Sequence, residues 1–88
     1  MTDYYEGAAV KITATFSFDV TENVYFELDN LKIQYHTEAD GLEIILDPTN
    51  SKRCWVIIDT MGLVGEHTYH FYSRGSYKAA IKGKFKVV

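Results

Sequence analysis

The sequence predicts an all-β domain, an antiparallel β-sandwich of about seven strands, with a small closed barrel as the alternative. Three observations predict it. From Tyr77 to Val87 the odd positions Tyr77, Ala79, Ile81, Gly83, Phe85 and Val87 alternate with Lys78, Ala80, Lys82, Lys84 and Lys86. A period of two with apolar groups on one side and ammonium groups on the other describes a strand with one wet face. The same grammar opens the chain, where Ala8, Val10, Ile12, Ala14, Phe16 and Phe18 alternate with Ala9, Lys11, Thr13, Thr15 and Ser17. Turn signals then punctuate the sequence at short intervals, and no 3.6-residue apolar period is long enough for a helix.

Residues 1–7 are polar and aromatic and are expected as a lead-in or arm to a single domain over residues 8–88. The first strand covers Ala8 to Asp19. A turn at Thr21-Glu22-Asn23 leads to a strand over Val24–Leu28, and Asp29-Asn30 turns into another in which Leu31, Ile33 and Tyr35 face one way. Asp40-Gly41 is a hairpin pair. Leu42–Leu46 and Arg53–Ile58 are strands separated by a loop holding Pro48, the only proline, where its missing N–H costs no ladder bond. Gly62 to Gly65 breaks the chain before a strand over His67–Ser73. Arg74-Gly75-Ser76 connects to the final lysine-faced strand. The expected core draws on Phe16, Phe18, Phe26, Tyr35, Trp55, Tyr69, Phe71 and Phe85, and burying each large side chain contributes about 1.5–3 kcal/mol. Trp55 is expected as a core anchor. Tyr69 is expected to return its hydroxyl to the backbone near Gly62–Gly65, as a tyrosine corner does.

Eighty-eight residues make one domain, and an apolar share of 47% with 15% aromatics suffices for a core. Cys54 is the only cysteine, so the chain holds no internal disulfide, which fits synthesis in a reducing cytoplasm. It reads as a small buried apolar residue. No basic segment followed by an apolar run suggests a secretion signal, and no stretch approaches the roughly 20 apolar residues that span a bilayer. The net charge of −3 is unevenly divided. Through Asp47, ten carboxylates face two lysines, a net of −8; beyond it, seven cations face two carboxylates, a net of +5. This division reads as strand-to-strand complementarity, or as a bipolar surface suited to packing against copies or partners.

No catalytic or cofactor constellation stands out. His67 and His70, three apart on a strand, face opposite ways and cannot share one metal ion there, and His36 is remote in sequence. Glu38, Asp40, Glu43 and Asp47 lack calcium-loop spacing and read as a solvated acidic segment. Cys54 has no base at a telling spacing, and no serine lies in a nucleophile elbow. Tyr72, Arg74, Tyr77 and Lys78 mix rings with cations, but a net negative chain argues against a phosphate-backbone partner. The expectation is therefore no enzyme, no cofactor, no metal, no nucleic acid and no membrane.

One resemblance adds to this. The run Gly65-Glu66-His67-Thr68-Tyr69-His70-Phe71-Tyr72-Ser73-Arg74-Gly75, then Lys78-Ala79-Ala80-Ile81-Lys82-Gly83-Lys84-Phe85-Lys86-Val87, resembles small immunoglobulin-like structural proteins of tailed bacteriophages. Those chains close on an aromatic-rich strand, a glycine turn and a final Gly-x-Phe-x-Val. The opening Tyr5-Glu6-Gly7 and the strand ending Thr15-Phe16 look similar too, whereas Lys82 stands where an acidic residue is common and the segment from Asp19 to Asp47 matches little. The resemblance implies an immunoglobulin-like sandwich and a non-enzymatic virion component. Such a component is made in the host cytoplasm and attaches to capsid, neck or tail, meeting other virion proteins or copies of itself in a symmetric assembly. Tyr4, Tyr5, Tyr25 and Tyr72, expected as exposed, are the candidate contact residues, because tyrosine offers a large contact area at low entropy cost. Two other readings stay open: an immunoglobulin-like module binding a glycan or receptor, and a small intracellular inhibitor.

Overall fold

The computed structural model describes residues 2–74 and 79–88, which form eight strands and no helix. They are β1 (Thr2–Tyr4), β2 (Ala9–Thr15), β3 (Val24–Leu28), β4 (Leu31–Gln34), β5 (Ile45–Leu46), β6 (Arg53–Asp59), β7 (Gly65–Ser73) and β8 (Ala80–Val87). They make a five-stranded sheet in the order β1-β8-β7-β3-β4 and a three-stranded sheet in the order β2-β6-β5. Two separate sheets make this a sandwich and not a closed barrel. Chain order crosses between sheets after β1, β2, β4 and β6, so three strands of one layer interleave with five of the other. This is the connectivity of an immunoglobulin-like sandwich whose first strand has joined the far edge of the larger sheet.

The eighth strand lies in the expected lead-in. Thr2–Tyr4 pairs parallel with β8, Thr2 opposite Phe85 and Tyr4 opposite Val87. The chain then passes to the other sheet through a tight turn in which the Ala8 N–H donates to Tyr5 O at 3.1 Å. Gly7 sits there at φ 92°, a conformation open to glycine at no steric cost. The buried Thr60 hydroxyl donates to Ala8 O at 2.8 Å and fixes the crossing from the other side.

Alternation sets the layers. In β2, Val10, Ile12 and Ala14 are buried while Ala9, Lys11, Thr13 and Thr15 are exposed. In β3 the buried set is Val24, Phe26 and Leu28, and in β6 it is Cys54, Val56 and Ile58. Phe26 and Phe71 meet at 4.9 Å between ring centroids at the centre of the core. Phe16 and Phe85 are buried beside them, while Phe18, Tyr35 and Tyr69 pack half-buried against the cluster.

Several expectations need correction. Trp55 does not anchor the core: its neighbours Cys54 and Val56 point inward, so Trp55 stands on the outer face of the three-stranded sheet. The Lys11 ammonium lies 3.8 Å from its ring centroid. Tyr69 does not return to the Gly62–Gly65 turn. Its ring lies across Gly83, its cross-strand partner, where a Cβ would collide with Oη and Cζ. His67 takes the role instead, with Nε2 2.6 Å from Leu63 O and Nδ1 3.0 Å from Asp29 Oδ2. The first strand's pairing stops at Thr15, although Phe16 still donates to Lys52 O at 2.8 Å.

The strand expected over Leu42–Leu46 shrinks to Ile45–Leu46 because Leu42 is held in the preceding hairpin. There Ala39 and Leu42 exchange both backbone bonds across Asp40 (φ 51°) and Gly41 (φ 77°), the two-residue turn that this pair favours. Gly75, Ser76, Tyr77 and Lys78, expected as a turn and the start of the last strand, lie outside the described residues.

Candidate functional site

The outer face of the five-stranded sheet carries mostly polar side chains. Register lines up its outward residues in rows. Lys32, Glu27, His70 and Lys82 form one row, with Lys32 Nζ 3.9 Å from Glu27 Oε2. Glu66, Lys86 and Asp3 form another, a cation between two carboxylates. Of the β8 lysines, Lys86 is thus flanked by carboxylates of its own sheet, in the manner of strand-to-strand complementarity, whereas Lys82 faces His70 and Lys84 faces Thr68.

At the end of this face where β7 finishes, Gln34, Tyr25, Tyr72 and Ala80 share the outermost row. Tyr25 and Tyr72 are directly opposed, and their rings stack with centroids 5.2 Å apart and planes 8° apart. The Arg74 guanidinium lies over both, at 5.4 Å from the Tyr25 centroid and 5.7 Å from that of Tyr72. Backbone bonding places it there, because the Arg74 N–H donates to Asn23 O at 3.1 Å, so the chain end of β7 is tied to the start of β3. Gln34 is held in turn by its side-chain amide donating to Glu22 O. Shallow depressions flank the Tyr72–Arg74 ridge. One, of about 310 Å³, also touches Tyr25, Lys32, Gln34 and Thr37; the other, of about 710 Å³, runs over Ser73, Ala79 and Ala80.

The structure therefore brings together two of the four tyrosines expected as contacts and separates the rest. Tyr25 and Tyr72 are half-buried by each other and not fully exposed. Tyr4 is half-buried as well, its ring edge-on to Phe85 at 6.2 Å. Tyr5 is 80% exposed, but it follows β1 at the Gly65 end of β7, roughly 23 Å from Tyr72 by the strand rise of about 3.3 Å per residue. On the opposite face of the sandwich stand Trp55, expected from sequence as a core anchor, and the exposed Ile57, which escaped the sequence reading.

Elsewhere the ionisable groups have local duties. A depression of about 460 Å³ at the other end has an apolar floor of leucines and Ile58 beneath Asp29, Asp40 and Asp59. Asp29 is engaged with His67, and Asp59 accepts the Met61 N–H at 3.0 Å. Asp47 accepts the Thr49 N–H and hydroxyl, both at 2.8 Å, and lies 3.6 Å from Arg53. The two Thr49 bonds, helped by Arg53 and Lys11, hold its carboxyl below the usual carboxylate value despite some desolvation. Cys54 is fully buried and its thiol is pushed up to about 12 by desolvation, so it is a core group and not a thiolate nucleophile. His67 and His70 do face opposite sides of β7. Among the described residues no three His, Cys, Asp or Glu side chains converge as a metal site would require, and no helix is long and apolar enough to cross a membrane. No protein-family model matches the chain, and no curated protein matches it.

Proposed function

We propose that this chain is a non-enzymatic attachment protein of a tailed-bacteriophage particle, docking on other virion proteins through the aromatic end of its five-stranded sheet. The virion setting rests on the resemblance of the Gly65–Val87 region to phage immunoglobulin-like proteins. The docking surface rests on one observation, the Tyr25–Tyr72 stack capped by Arg74. Tyrosine and arginine dominate the binding energy of protein interfaces, and side chains already ordered by one another lose little entropy on binding. The depressions on either side of the ridge give a partner's side chains somewhere to seat. A glycan-binding reading is less well served, because one flat face of each ring is turned to the other tyrosine and not to a sugar.

The test is binding of the purified chain to particles of the phage that encodes it, assembled without it. Tyr72→Ala and Arg74→Ala should each weaken attachment by about tenfold or more, a loss of about 1.4 kcal/mol, while leaving the fold intact. Attachment unchanged in both variants would sink the assigned surface, and no attachment by the wild-type chain would sink the virion reading.

A further inference from the structure

The sandwich has four open sheet edges, and they are not alike. At the outer edge of the larger sheet, β1 has three residues including Asp3, and β4 has four including the exposed Lys32. In the smaller sheet, β5 has two residues and runs into a loop with Pro48. Short length, charge and nearby proline are the devices that keep an edge from pairing with another chain. The fourth edge, β2, has none of them in strength. It runs for seven residues, Ala9–Thr15, with β6 as its only strand neighbour among the described residues and Lys11 as its only charge.

Its free backbone groups can be assigned. Phe16 N–H donates to Lys52 O, and Ala8 O accepts from Thr60 N–H, so the even-numbered residues of this stretch turn their backbone groups toward β6. The odd-numbered residues Ala9, Lys11, Thr13 and Thr15 turn theirs outward. A cleft of about 110 Å³ lies between β2 and the strands carrying Tyr4, Tyr69 and Phe85, and among the described residues no strand of the other sheet forms a ladder with β2.

We infer that β2 pairs antiparallel with β2 of a second copy of this chain, about a two-fold axis at Ile12, joining the two three-stranded sheets into one of six strands. The strand is self-complementary in this register. Ala9 falls opposite Thr15 and Lys11 opposite Thr13, so all four outward-bonding residues of each copy exchange N–H and C=O groups. On the inner side Val10 meets Ala14 and Ile12 meets Ile12, so apolar lies on apolar. Sliding the register by two residues one way sets Lys11 against Lys11, and sliding it the other way leaves residues unpaired. A partner with the same strand thus fits its length, its bonding groups and its charge. The inference is independent of the proposed docking surface, which lies on the other sheet.

Cross-linking reads the register directly. Lys11→Cys and Thr13→Cys chains, mixed under mild oxidation, should give a disulfide-linked dimer at several times the yield of either variant alone, since cross-strand Cα atoms at such a pair lie about 5.5 Å apart. Cys54 is buried and does not compete. Sedimentation should show a concentration-dependent dimer for the wild-type chain. Thr13→Lys, which sets two lysine pairs face to face across the axis, should raise its dissociation constant by about tenfold. Thr13→Pro, which removes an outward N–H and no bond to β6, should abolish the dimer. A chain that stays monomeric to about millimolar concentration overturns the inference. So does self-cross-linking of Lys11→Cys as strong as in the mixture, or a dimer that survives Thr13→Pro.

Discussion

The two outer faces of this sandwich solve the same problem with opposite chemistry. On the five-stranded sheet β8 sends out Lys82, Lys84 and Lys86, and the register supplies Glu66 and Asp3 on either side of Lys86. On the three-stranded sheet β6 sends out Arg53, Trp55, Ile57 and Asp59, with Ile45 beside Trp55 and Lys11 laid over the indole. The first face sets opposite charges side by side at Lys86 and at Lys32. The second keeps apolar groups at the surface and shields them partly with one lysine stem. The difference teaches that strand period marks two sides but does not say which is inside; the positions of the charges do.

The largest effect should come from comparing an inward ring with the outward one. Phe71→Ala removes a side chain with no exposure at the centre of the core and should cost about 3–5 kcal/mol, read as the shift in urea midpoint. Trp55→Ala should cost only about 1–2 kcal/mol, part of it the contact with Lys11. As the sole tryptophan, Trp55 should also be quenched by acrylamide in the native state. Equal costs, or an indole inaccessible to quencher, would break the contrast.

Next comes the inner side of β8, where Gly83→Ala drives a methyl into the Tyr69 ring and should cost about 1–3 kcal/mol. Adding Tyr69→Ala should then hurt less than it does in the wild-type chain, a coupling that a double-mutant cycle measures. Smaller still is the charge ladder. Lys86→Glu, between Glu66 and Asp3, should destabilise by about 0.5–1 kcal/mol. Lys84→Glu, opposite Thr68, should cost distinctly less. Indistinguishable thermal midpoints for the two would mean that register does not set the pairing of that face.

The smallest effect concerns Asp47 beside β5. Its carboxyl is held below the value of about 3.8 that it has when unfolded, so its contribution is complete above that pH and is lost as pH falls through the folded value. Asp47→Asn should therefore lower stability by a small, constant amount in the neutral region and flatten the acid limb below about pH 4, where the difference from the wild-type chain closes. An unaltered acid limb would remove Asp47 from the account.

Most of the scaffold was legible because its strands alternate cleanly between apolar and polar residues. In β2 and β8 one side is unmistakably wet, and the Asp40-Gly41 turn carries its own backbone preference. Between Arg53 and Asp59 both sides are apolar, and size made Trp55 look like the inner residue. A signal was present: Arg53 and Asp59 share parity with Trp55, so the charged residues placed the indole outside. Tyr25 and Tyr72 were named singly, but their stacking depends on strand order, since residues 47 apart meet only because β7 lies beside β3. Thr2–Tyr4 escaped as a strand because three residues carry no visible period. The role of His67 depends on two turns, at Asp29 and Leu63, that local sequence does not bring together.

Cys54 gives the molecule a built-in clock. A thiol sealed between the layers reacts with a disulfide reagent only during excursions that part β6 from its surroundings. Labelling at this one sulfur therefore counts those excursions without a probe being introduced. Repeated in a series of denaturant concentrations, it separates brief local breathing of the smaller layer from loss of the whole fold.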